Sequence, residues 1–440
     1  MKIRRVWLKD VGPFKKLDLT IPQGTRPGLA DVVVVTGPNG SGKTTLLYAL
    51  GSVLGTSDQL GRRWSVTSEV AVEVDIEGEP HVFAAGGGYP QQQLLLSDDT
   101  EVSRPWHHPK FNGYGAVNGF RMHFAGKTAG SVWQNEARIG ELALHAAPVF
   151  AYGTFRKVDR PPQQLVISED RTNALSDAVS FDRSVQPGSF ETWVANTRTK
   201  LALAREDSDV LAVRRYERSI QVIEGAVSDL VGEPFTLRVS REPLEVLGVV
   251  NGVDVPLNML PDGLRSALAW LGDVLRRLDG LTGPVGADVL ELPITVLLDE
   301  IDAHLHPAWQ RRILHVAERL LPNAQLIVST HSPFVIQSAT DACVVMLGDH
   351  GSTPKVIDAQ FGRTFDAILE DVLGVRESKY GIDVEAQLKD FKLLRDEVLR
   401  QQAPMERLEQ AARELAQLSE SLDLSLQTHL VDVRSRLGMS

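Results

Sequence analysis

A glycine-rich segment that follows an apolar run constrains this chain more than any other feature. Residues 31–36 read Asp-Val-Val-Val-Val-Thr, a β-branched run typical of a strand buried on both faces. Residues 37–44 then match the pattern G-x-x-x-x-G-K-[ST], and the apolar residues 45–50 predict a helix. In such a strand–loop–helix unit, loop N–H groups and the positive end of the helix dipole bind phosphate. The segment therefore predicts an α/β fold built around a nucleoside triphosphate.

The individual residues of this loop have separate expected roles. Lys43 can reach the β- and γ-phosphates of ATP, and the Thr44 hydroxyl can ligate Mg²⁺. A glycine-rich turn that contains Gly-Lys-Thr by chance is the alternative, and the flanking strand and helix count against it. The residues expected to contact ATP are Pro38, Asn39, Gly40, Ser41, Gly42, Lys43, Thr44 and Thr45.

A second apolar run, residues 295–298, ends in two acidic residues. A carboxylate at the carboxyl end of a strand beside the phosphate loop is where a Mg²⁺ ligand belongs, so Asp299 is the expected metal ligand. Because side chains alternate along a strand, Glu300 is expected to point elsewhere and to polarise a water molecule. Two solvated acids at the end of a strand are the alternative.

A third apolar run, residues 326–330, ends at a histidine. A neutral His331 imidazole there can donate to the γ-phosphate, although a lone histidine is more often structural. Asp302 and His304 lie in the segment after Glu300, which could cross to a second subunit. His304 and His306 form an H-x-H pair, but no further Cys/His/Asp cluster completes a metal shell around it.

Together these segments resemble the ATP-binding-cassette (ABC) superfamily of ATPases. The match is to the soluble branch that contains RecF, SMC and SbcC-type heads, OLD nucleases and the ATPases of anti-phage systems. Residues 3–17 resemble its first strand and turn, and residues 260–271 resemble its signature helix, particularly that of Septu-type (PtuA-like) ATPases. Pro261 replaces the usual signature serine, and Gly263 is left to present backbone N–H groups to ATP on a partner. The resemblance implies ATP and Mg²⁺ as cofactors and hydrolysis by a head-to-head dimer. The departure at Pro261 weakens the expected recognition of ATP on the partner, so slow turnover is expected.

The predicted fold class is α/β: an ABC-type ATPase head, a mixed sheet with a P-loop core, plus a short helical insertion and a C-terminal helical region. Residues 1–185 would form the first part of the head, with a long surface loop over residues 86–130, and residues 235–380 the second part. Between them, residues 186–234 predict two helices that turn at Asp207-Ser208-Asp209 and reach only about 30 Å. Residues 381–440 predict a helical bundle whose apolar stripes pack on each other or dock a partner. The glutamine of the family's Q-loop is not assigned, and Gln163 and Gln164 are the nearest candidates.

Composition favours a cytoplasmic protein. The chain has one cysteine, Cys343, within an apolar run, which predicts a reducing compartment and no disulfide framework. No apolar stretch approaches the roughly 20 residues that span a bilayer, and residues 1–5 lack the apolar core of a leader. The net charge of −11 gives no global attraction to nucleic acid, although local basic surfaces leave such binding open.

Three functions remain in competition. The first is a regulatory ATPase of anti-phage defence, a homodimer or higher homo-oligomer that gates a separate effector; the resemblance implies an HNH-type nuclease. The second is an OLD-like nuclease, which is disfavoured because no D-x-D cluster follows His331. The third is a RecF- or SbcC-like DNA-repair head, against which the short arm and the acidic balance count.

Overall fold

The computed structural model describes eighteen stretches of the 440-residue chain in two compact units, residues 1–374 and 375–440. They are residues 1–22, 30–54, 64–76, 79–86, 95–96, 100–101, 114–117, 120–125, 148–156, 178–179, 181, 188–282, 289–339, 341–348, 352–358, 365–373, 382–418 and 420–437. Each unit is described by itself below. The division into domains made from the sequence stays a prediction.

The first unit alternates strands and helices. Its strands are β1 (Lys2–Val11), β2 (Phe14–Thr20), β3 (Asp31–Thr36), β4 (Trp64–Ile76), β5 (Glu79–Gly86), β6 (Leu95–Leu96), β7 (Thr100–Glu101), β8 (Tyr114–Val117), β9 (Phe120–Ala125), β10 (Val149–Tyr152), β11 (Phe235–Arg241), β12 (Leu244–Val250), β13 (Val253–Pro256), β14 (Thr295–Leu298), β15 (Gln325–Ser329), β16 (Ala342–Met346) and β17 (Lys355–Asp358). Its helices are α1 (Lys43–Leu54), α2 (Ser189–Glu206), α3 (Val210–Val231), α4 (Asp262–Thr282), α5 (Pro307–Leu320), α6 (Pro333–Ser338) and α7 (Phe365–Ala367). Single 3₁₀ turns occupy Leu257–Met259 and Val289–Glu291, and a π turn, Ile368–Val372, follows α7.

The central sheet brings the three predicted strands together. Its order is β10-β14-β15-β3-β16-β17; the first five strands are parallel and β17 is antiparallel. The β-branched and leucine side chains of β3, β14 and β15 are buried, as expected for strands covered on both faces. Because parallel strands share their direction, the segments that follow β3, β14 and β15 meet at one edge. The predicted α/β class, with a mixed sheet and a P-loop core, is confirmed.

A second sheet corrects the prediction of a long surface loop. Its order is β2-β1-β4-β5-β9-β8, and β9 pairs in parallel with β5. Residues 114–117 and 120–125 are therefore strands, so the loop prediction for residues 86–130 is wrong there. Strands β4 and β5 of this sheet pair with each other in antiparallel orientation. Helix α1 contacts strands of both sheets and is buried on nearly every side, because its residues are apolar around its whole circumference.

The helical insertion is confirmed as a hairpin. Helix α2 ends at Glu206, and the Asp209 side chain caps α3 by accepting from the N–H groups of Leu211 and Ala212. Helix α3 ends at Gly232, whose φ of 85° is the left-handed conformation that suits a glycine C-cap. The predicted polar turn therefore lies where the sequence placed it.

The second unit contains α8 (Ile382–Leu399), α9 (Met405–Ala416) and α10 (Glu420–Leu437). Apolar side chains from all three helices form one buried cluster, including Phe391, Leu408, Leu415, Leu426 and Val433. The stripes therefore pack on each other. Helix α9 ends at Ala416, and Leu418, between α9 and α10, is 53% exposed. Among the described residues, no helix is both long enough and apolar enough to span a membrane.

Candidate functional site

The phosphate loop joins β3 to α1 at the carboxyl edge of the central sheet. Gly42 has a φ of 103°, and a Cβ there would lie 2.4 Å from the Phe14 ring, so glycine is required. The Ser41 hydroxyl is buried and has no hydrogen-bond partner within the described ranges. A buried hydroxyl without a partner can donate to a phosphate oxygen, so this loop fits the phosphates of ATP.

Lys43 folds back across this loop. Its Nζ donates to the carbonyl oxygens of Gly37 (2.9 Å) and Pro38 (3.0 Å). An ammonium group carries three protons, so one more is available for a phosphate oxygen. Burial lowers the pKa of Lys43, while the carboxylates of Asp299 and Glu300 oppose that effect and favour the charged form. The amine is therefore held at the mouth of the loop.

The Asp299 carboxylate accepts hydrogen bonds from three separate segments of the chain. Its Oδ1 accepts from Thr44 Oγ1 (3.2 Å) and Ser329 Oγ (2.7 Å), and its Oδ2 accepts from Thr154 Oγ1 (3.3 Å). Adjacent ligands of an octahedral Mg²⁺ ion lie about 3 Å apart, so Thr44 and Asp299 have the oxygen chemistry and the spacing to hold one. Bound magnesium would offset the charge of the β- and γ-phosphates.

The direction of Glu300 has a different origin from the one expected. Strand β14 ends at Leu298, so alternation along a strand does not orient Glu300. Its φ of 48° instead places it in the left-handed region, and its N–H donates to Ser329 Oγ (2.7 Å). That conformation costs an ordinary residue about 1–2 kcal/mol. The sequence-based reason is corrected, because a turn at the strand end sets the orientation.

The electrostatic environment of Glu300 makes it a stronger base than a solvated glutamate. Burial raises the pKa of Glu300, and the neighbouring carboxylates of Asp299 and Asp302 raise it further. The cations of Arg156 and Lys43 act in the opposite direction. The residue is only partly buried, so water can reach it.

His331 lies between two residues that are held by hydrogen bonds. The Thr330 hydroxyl donates to Asp302, and the Ser332 hydroxyl caps α6 by accepting from the N–H groups of Phe334 and Val335. Burial lowers the pKa of His331, and the nearby Lys43 cation lowers it further. The neutral imidazole is the favoured form, which is the form that the sequence analysis assigned to a γ-phosphate sensor.

The signature segment packs on the segment after Glu300. Helix α4 begins at Asp262, and the Pro261 carbonyl accepts from the N–H of Arg265 (3.0 Å). A Cβ at Gly263 would lie 2.5 Å from the carbonyl oxygen of His304, so the absent side chain allows this close approach. From the sequence, Gly263 is predicted only to contact ATP bound by a partner subunit. In the structure, the absent side chain lets the start of helix α4 lie against His304 of the same chain.

The two histidines of the H-x-H pair have different surroundings in the described part of the chain. His306 Nδ1 accepts from the N–H of Ala308 (3.3 Å) and so caps α5, while His304 is exposed at a φ of 65°. The described residues contain no group of three or more His, Cys, Asp or Glu side chains that could hold a metal ion.

Comparisons with known proteins identify the family of this chain. A family model described as "AAA domain, putative AbiEii toxin, Type IV TA system" matches residues 32–337, which is more than half of the chain, and a model described as "AAA domain" matches residues 1–59. The chain belongs to this AAA-domain family. The match begins within β3 and ends within α6, so it includes every motif at the sheet edge.

Individual relatives of this AAA-domain protein cover it unequally. The Septu protein PtuA of Bacillus thuringiensis is 21% identical over 403 residues, 90% of this chain and 89% of PtuA. The retron Vc95 probable ATPase of Vibrio cholerae serotype O1 biovar El Tor is 34% identical over 166 residues, 37% of this chain and 31% of that protein. The alignment thus spans less than a third of the retron protein. An SMC head bound to the C-terminal winged-helix domain of ScpA is 16% identical with a TM-score of 0.44, covering 81% of this chain and 97% of that one.

The match to PtuA confirms the resemblance to Septu-type ATPases. The family membership and the relatives named as probable ATPases support ATPase activity in this AAA-domain protein. The roles of individual residues stay predictions, because a family match does not test them.

The structure brings most of the predicted site residues of this AAA-domain protein to one edge. Lys43, Thr44, Asp299, Glu300 and Asp302 are linked there by hydrogen bonds or by their effect on one another's pKa. Pro38, Asn39 and Gly40 are exposed on the loop, and the side chain of Thr45 is buried beside Gly12. Gln163 and Gln164, the Q-loop candidates, lie outside the described residues.

Sequence reasoning missed the residues that hold Asp299 and Glu300 of the AAA-domain site in place. Thr154 and Ser329 bind the Asp299 carboxylate, and Arg156 binds the backbone on both sides of Glu300. One usable signal existed, because Thr154 follows β10 directly and Ser329 ends β15, so both lie at the carboxyl edge. No local pattern marks Arg156.

Proposed function

We propose that this chain binds ATP with Mg²⁺ at the carboxyl edge of its central sheet and hydrolyses it when two copies close face to face. The observation that carries the proposal is the 3.2 Å hydrogen bond between Thr44 and Asp299, which are 255 positions apart in the sequence. It joins the phosphate loop to the acidic strand end, the pairing that a Mg²⁺-nucleotide requires.

Each side chain at the edge has a defined part in the proposed hydrolysis. Lys43 would hold the β- and γ-phosphates, and Thr44 with Asp299 would hold the metal. Glu300 would accept a hydrogen bond from the attacking water and take its proton as the water oxygen bonds to the γ-phosphorus. The bond from that phosphorus to the β–γ bridging oxygen would break at the same time, and ADP would leave with the bridging oxygen. The raised pKa of Glu300 suits that role, since a base works best when its pKa lies nearer the working pH. His331, as a neutral imidazole, would donate to the γ-phosphate.

The contact between Gly263 and His304 supports head-to-head closure. The start of the signature helix and the segment around Asp302 form one continuous patch, because the Gly263 Cα lies against the His304 carbonyl. In the proposed dimer, this patch of one copy would face the phosphate loop of the other. Gly263 has no side chain and Pro261 has no N–H, so trans recognition would depend on backbone groups at the start of α4. We therefore expect slow turnover.

Similarity to PtuA along nearly the whole chain supports a role in anti-phage defence. We propose that the closed dimer, or a higher homo-oligomer, gates a separately encoded effector of the HNH-nuclease class. Co-purification from the native locus followed by mass spectrometry tests this part. Recovery of a nuclease is the expected result. A chain that comes without a partner and binds DNA in a salt-dependent manner would contradict it and favour a DNA-repair head.

The Glu300→Gln variant tests the hydrolytic proposal. It keeps the shape of the side chain but removes the base, so ATP should bind while hydrolysis stalls and a tight dimer accumulates in light scattering. A matched control is Glu291→Gln, which alters an exposed glutamate before β14 and should leave turnover unchanged. Lys43→Ala should lose ATP-dependent assembly altogether. Undiminished hydrolysis by Glu300→Gln, or unchanged nucleotide affinity in Lys43→Ala, would contradict the assignment.

A further inference from the structure

A buried arginine lies against the acidic turn and belongs to none of the motifs read from the sequence. Arg156 is 3% exposed and follows β10 by four residues. Its Nη1 donates to the carbonyl oxygens of Gly153 (2.7 Å) and Asp299 (2.6 Å), and its Nη2 donates to that of Glu300 (2.6 Å). Hydrogen bonds from a charged donor are stronger than neutral ones. The guanidinium therefore joins the end of β10 to the turn after β14.

The two carbonyl groups that Arg156 binds flank one Cα atom. The Asp299 carbonyl belongs to the peptide before the Glu300 Cα, and the Glu300 carbonyl belongs to the peptide after it. Those two peptide planes define φ and ψ of Glu300, and hence the direction of its Cα–Cβ bond. A bidentate, planar donor suits this arrangement, whereas an ammonium group is a point donor.

The held conformation is one that Glu300 would not adopt by itself. Its φ of 48° is in the left-handed region, where a residue with a Cβ is disfavoured by about 1–2 kcal/mol. Ser329 Oγ accepts from the Glu300 N–H, and the Arg156 bonds restrain both adjacent carbonyls. Strain of this kind persists only where the surroundings overdetermine it, and it concentrates at functional sites.

We propose that Arg156 is the positioning residue of the acidic turn, and that it holds Glu300 left-handed so that its carboxylate is presented at the phosphate loop. The inference rests on the proposed catalytic role of Glu300. Arg156 itself is buried beneath the turn and acts through the backbone.

The electrostatic state of Arg156 agrees with this role. Burial lowers its pKa to about 10, and the carboxylates of Asp299, Asp302 and Glu300 oppose that shift. The group is therefore cationic at neutral pH. Its charge in turn lowers the pKa of Glu300 against the raising effect of burial.

Arg156→Ala and Arg156→Lys test the proposal through kcat, KM and nucleotide affinity. We expect kcat to fall by about a hundredfold in Arg156→Ala, since small misplacements of a catalytic group cost that much. Equilibrium affinity for ATP should change by less than about threefold, because neither Lys43 nor the loop is touched. Arg156→Lys should be intermediate, as an ammonium can reach one carbonyl but not both. Added guanidinium ion should restore part of the lost kcat in Arg156→Ala only.

A matched control is Arg198→Ala. Arg198 also donates to a backbone carbonyl, that of Leu237 (2.7 Å), and to Glu224 (2.9 Å), but it lies on α2 outside the site. Its loss should reduce stability and leave kcat unchanged, and added guanidinium ion should have no effect on it. If Arg156→Ala does not fold, Arg156→Lys and Arg156→Gln carry the same measurements.

The outcomes separate this inference from the proposed function. If Glu300→Gln is inactive while folded Arg156 variants keep wild-type kcat, the positioning role is wrong and the proposed function stands. A loss of ATP affinity in proportion to activity, without rescue by guanidinium ion, would also overturn the positioning role. If Glu300→Gln hydrolyses ATP normally, Glu300 is not the base and this inference fails with that role. The proposed function fails if the unaltered chain neither binds nor hydrolyses ATP.

Discussion

The nucleotide edge and the C-terminal helices are built on opposite principles. At the edge, buried polar groups from distant parts of the sequence bond to one another, as in the contacts of Asp299 with Thr44 and Ser329. In the C-terminal unit, the buried cluster is apolar, and ion pairs such as Arg434–Glu409 lie at the surface. Burying polar groups is costly unless each is satisfied, whereas burying apolar groups is favourable in itself. The edge therefore holds polar groups in fixed positions, whereas the helical unit gains stability from the burial of apolar side chains.

Asp299→Asn should produce the largest effect and should be confined to catalysis. The substitution keeps the shape of the side chain but removes the charge that Mg²⁺ requires, so we expect Mg²⁺-dependent turnover to fall by about a hundredfold or more. Steady-state ATPase assays across a Mg²⁺ titration measure this. A comparable loss in Asp254→Asn, which alters an exposed acid of β13 paired with Arg238, would show that the effect is not local.

Leu408→Ala should give the converse result. Leu408 is fully buried in the C-terminal cluster, and Leu→Ala changes at such sites cost about 2–5 kcal/mol. Denaturant unfolding of the full chain, followed by a signal from residues 382–437, should show this loss of unfolding free energy. ATP affinity should stay at the wild-type value. Leu418→Ala removes an exposed leucine of the same unit and should change stability by less than about 0.5 kcal/mol. Equal losses in the two variants would mean that the cluster does not stabilise the unit.

Glu191→Gln sharpens the comparison by testing a buried polar group that lies outside the site. Glu191 is buried in the first turn of α2, and its Oε2 has no hydrogen-bond partner in the described part of the chain. Burial raises its pKa to about 7 from an ordinary value of 4.5. A carboxyl with a raised pKa stabilises the fold below pH 4.5, and that contribution is lost as the pH rises towards 7.

The expected result is a stability that depends less on pH in Glu191→Gln than in the wild type. At pH 8 the amide avoids a buried charge and should gain up to about 3 kcal/mol over the wild type, with little difference at pH 4. Denaturant unfolding at the two pH values measures the gain. A gain of the same size at both would show that ionisation of Glu191 is not its cause.

The sequence predicted those features whose physics is local. The apolar runs of β3, β14 and β15, the glycine pattern of the phosphate loop and the capped turn between α2 and α3 each need only neighbouring residues. Parallel strands share a direction, so the meeting of Lys43, Asp299 and His331 at one edge also followed from local patterns. The strands within residues 114–125 were missed, because the glycine- and proline-rich composition around them predicts a loop.

Tertiary structure decided what depends on residues distant in sequence. The left-handed turn at Glu300 is favoured by no local pattern and is restrained by Ser329 and Arg156. The close approach of Gly263 to His304 likewise depends on how α4 packs against the turn after β14. The reason is physical: a strained or closely packed backbone is stable only where contacts from other segments compensate its cost, and a local sequence window does not contain those contacts.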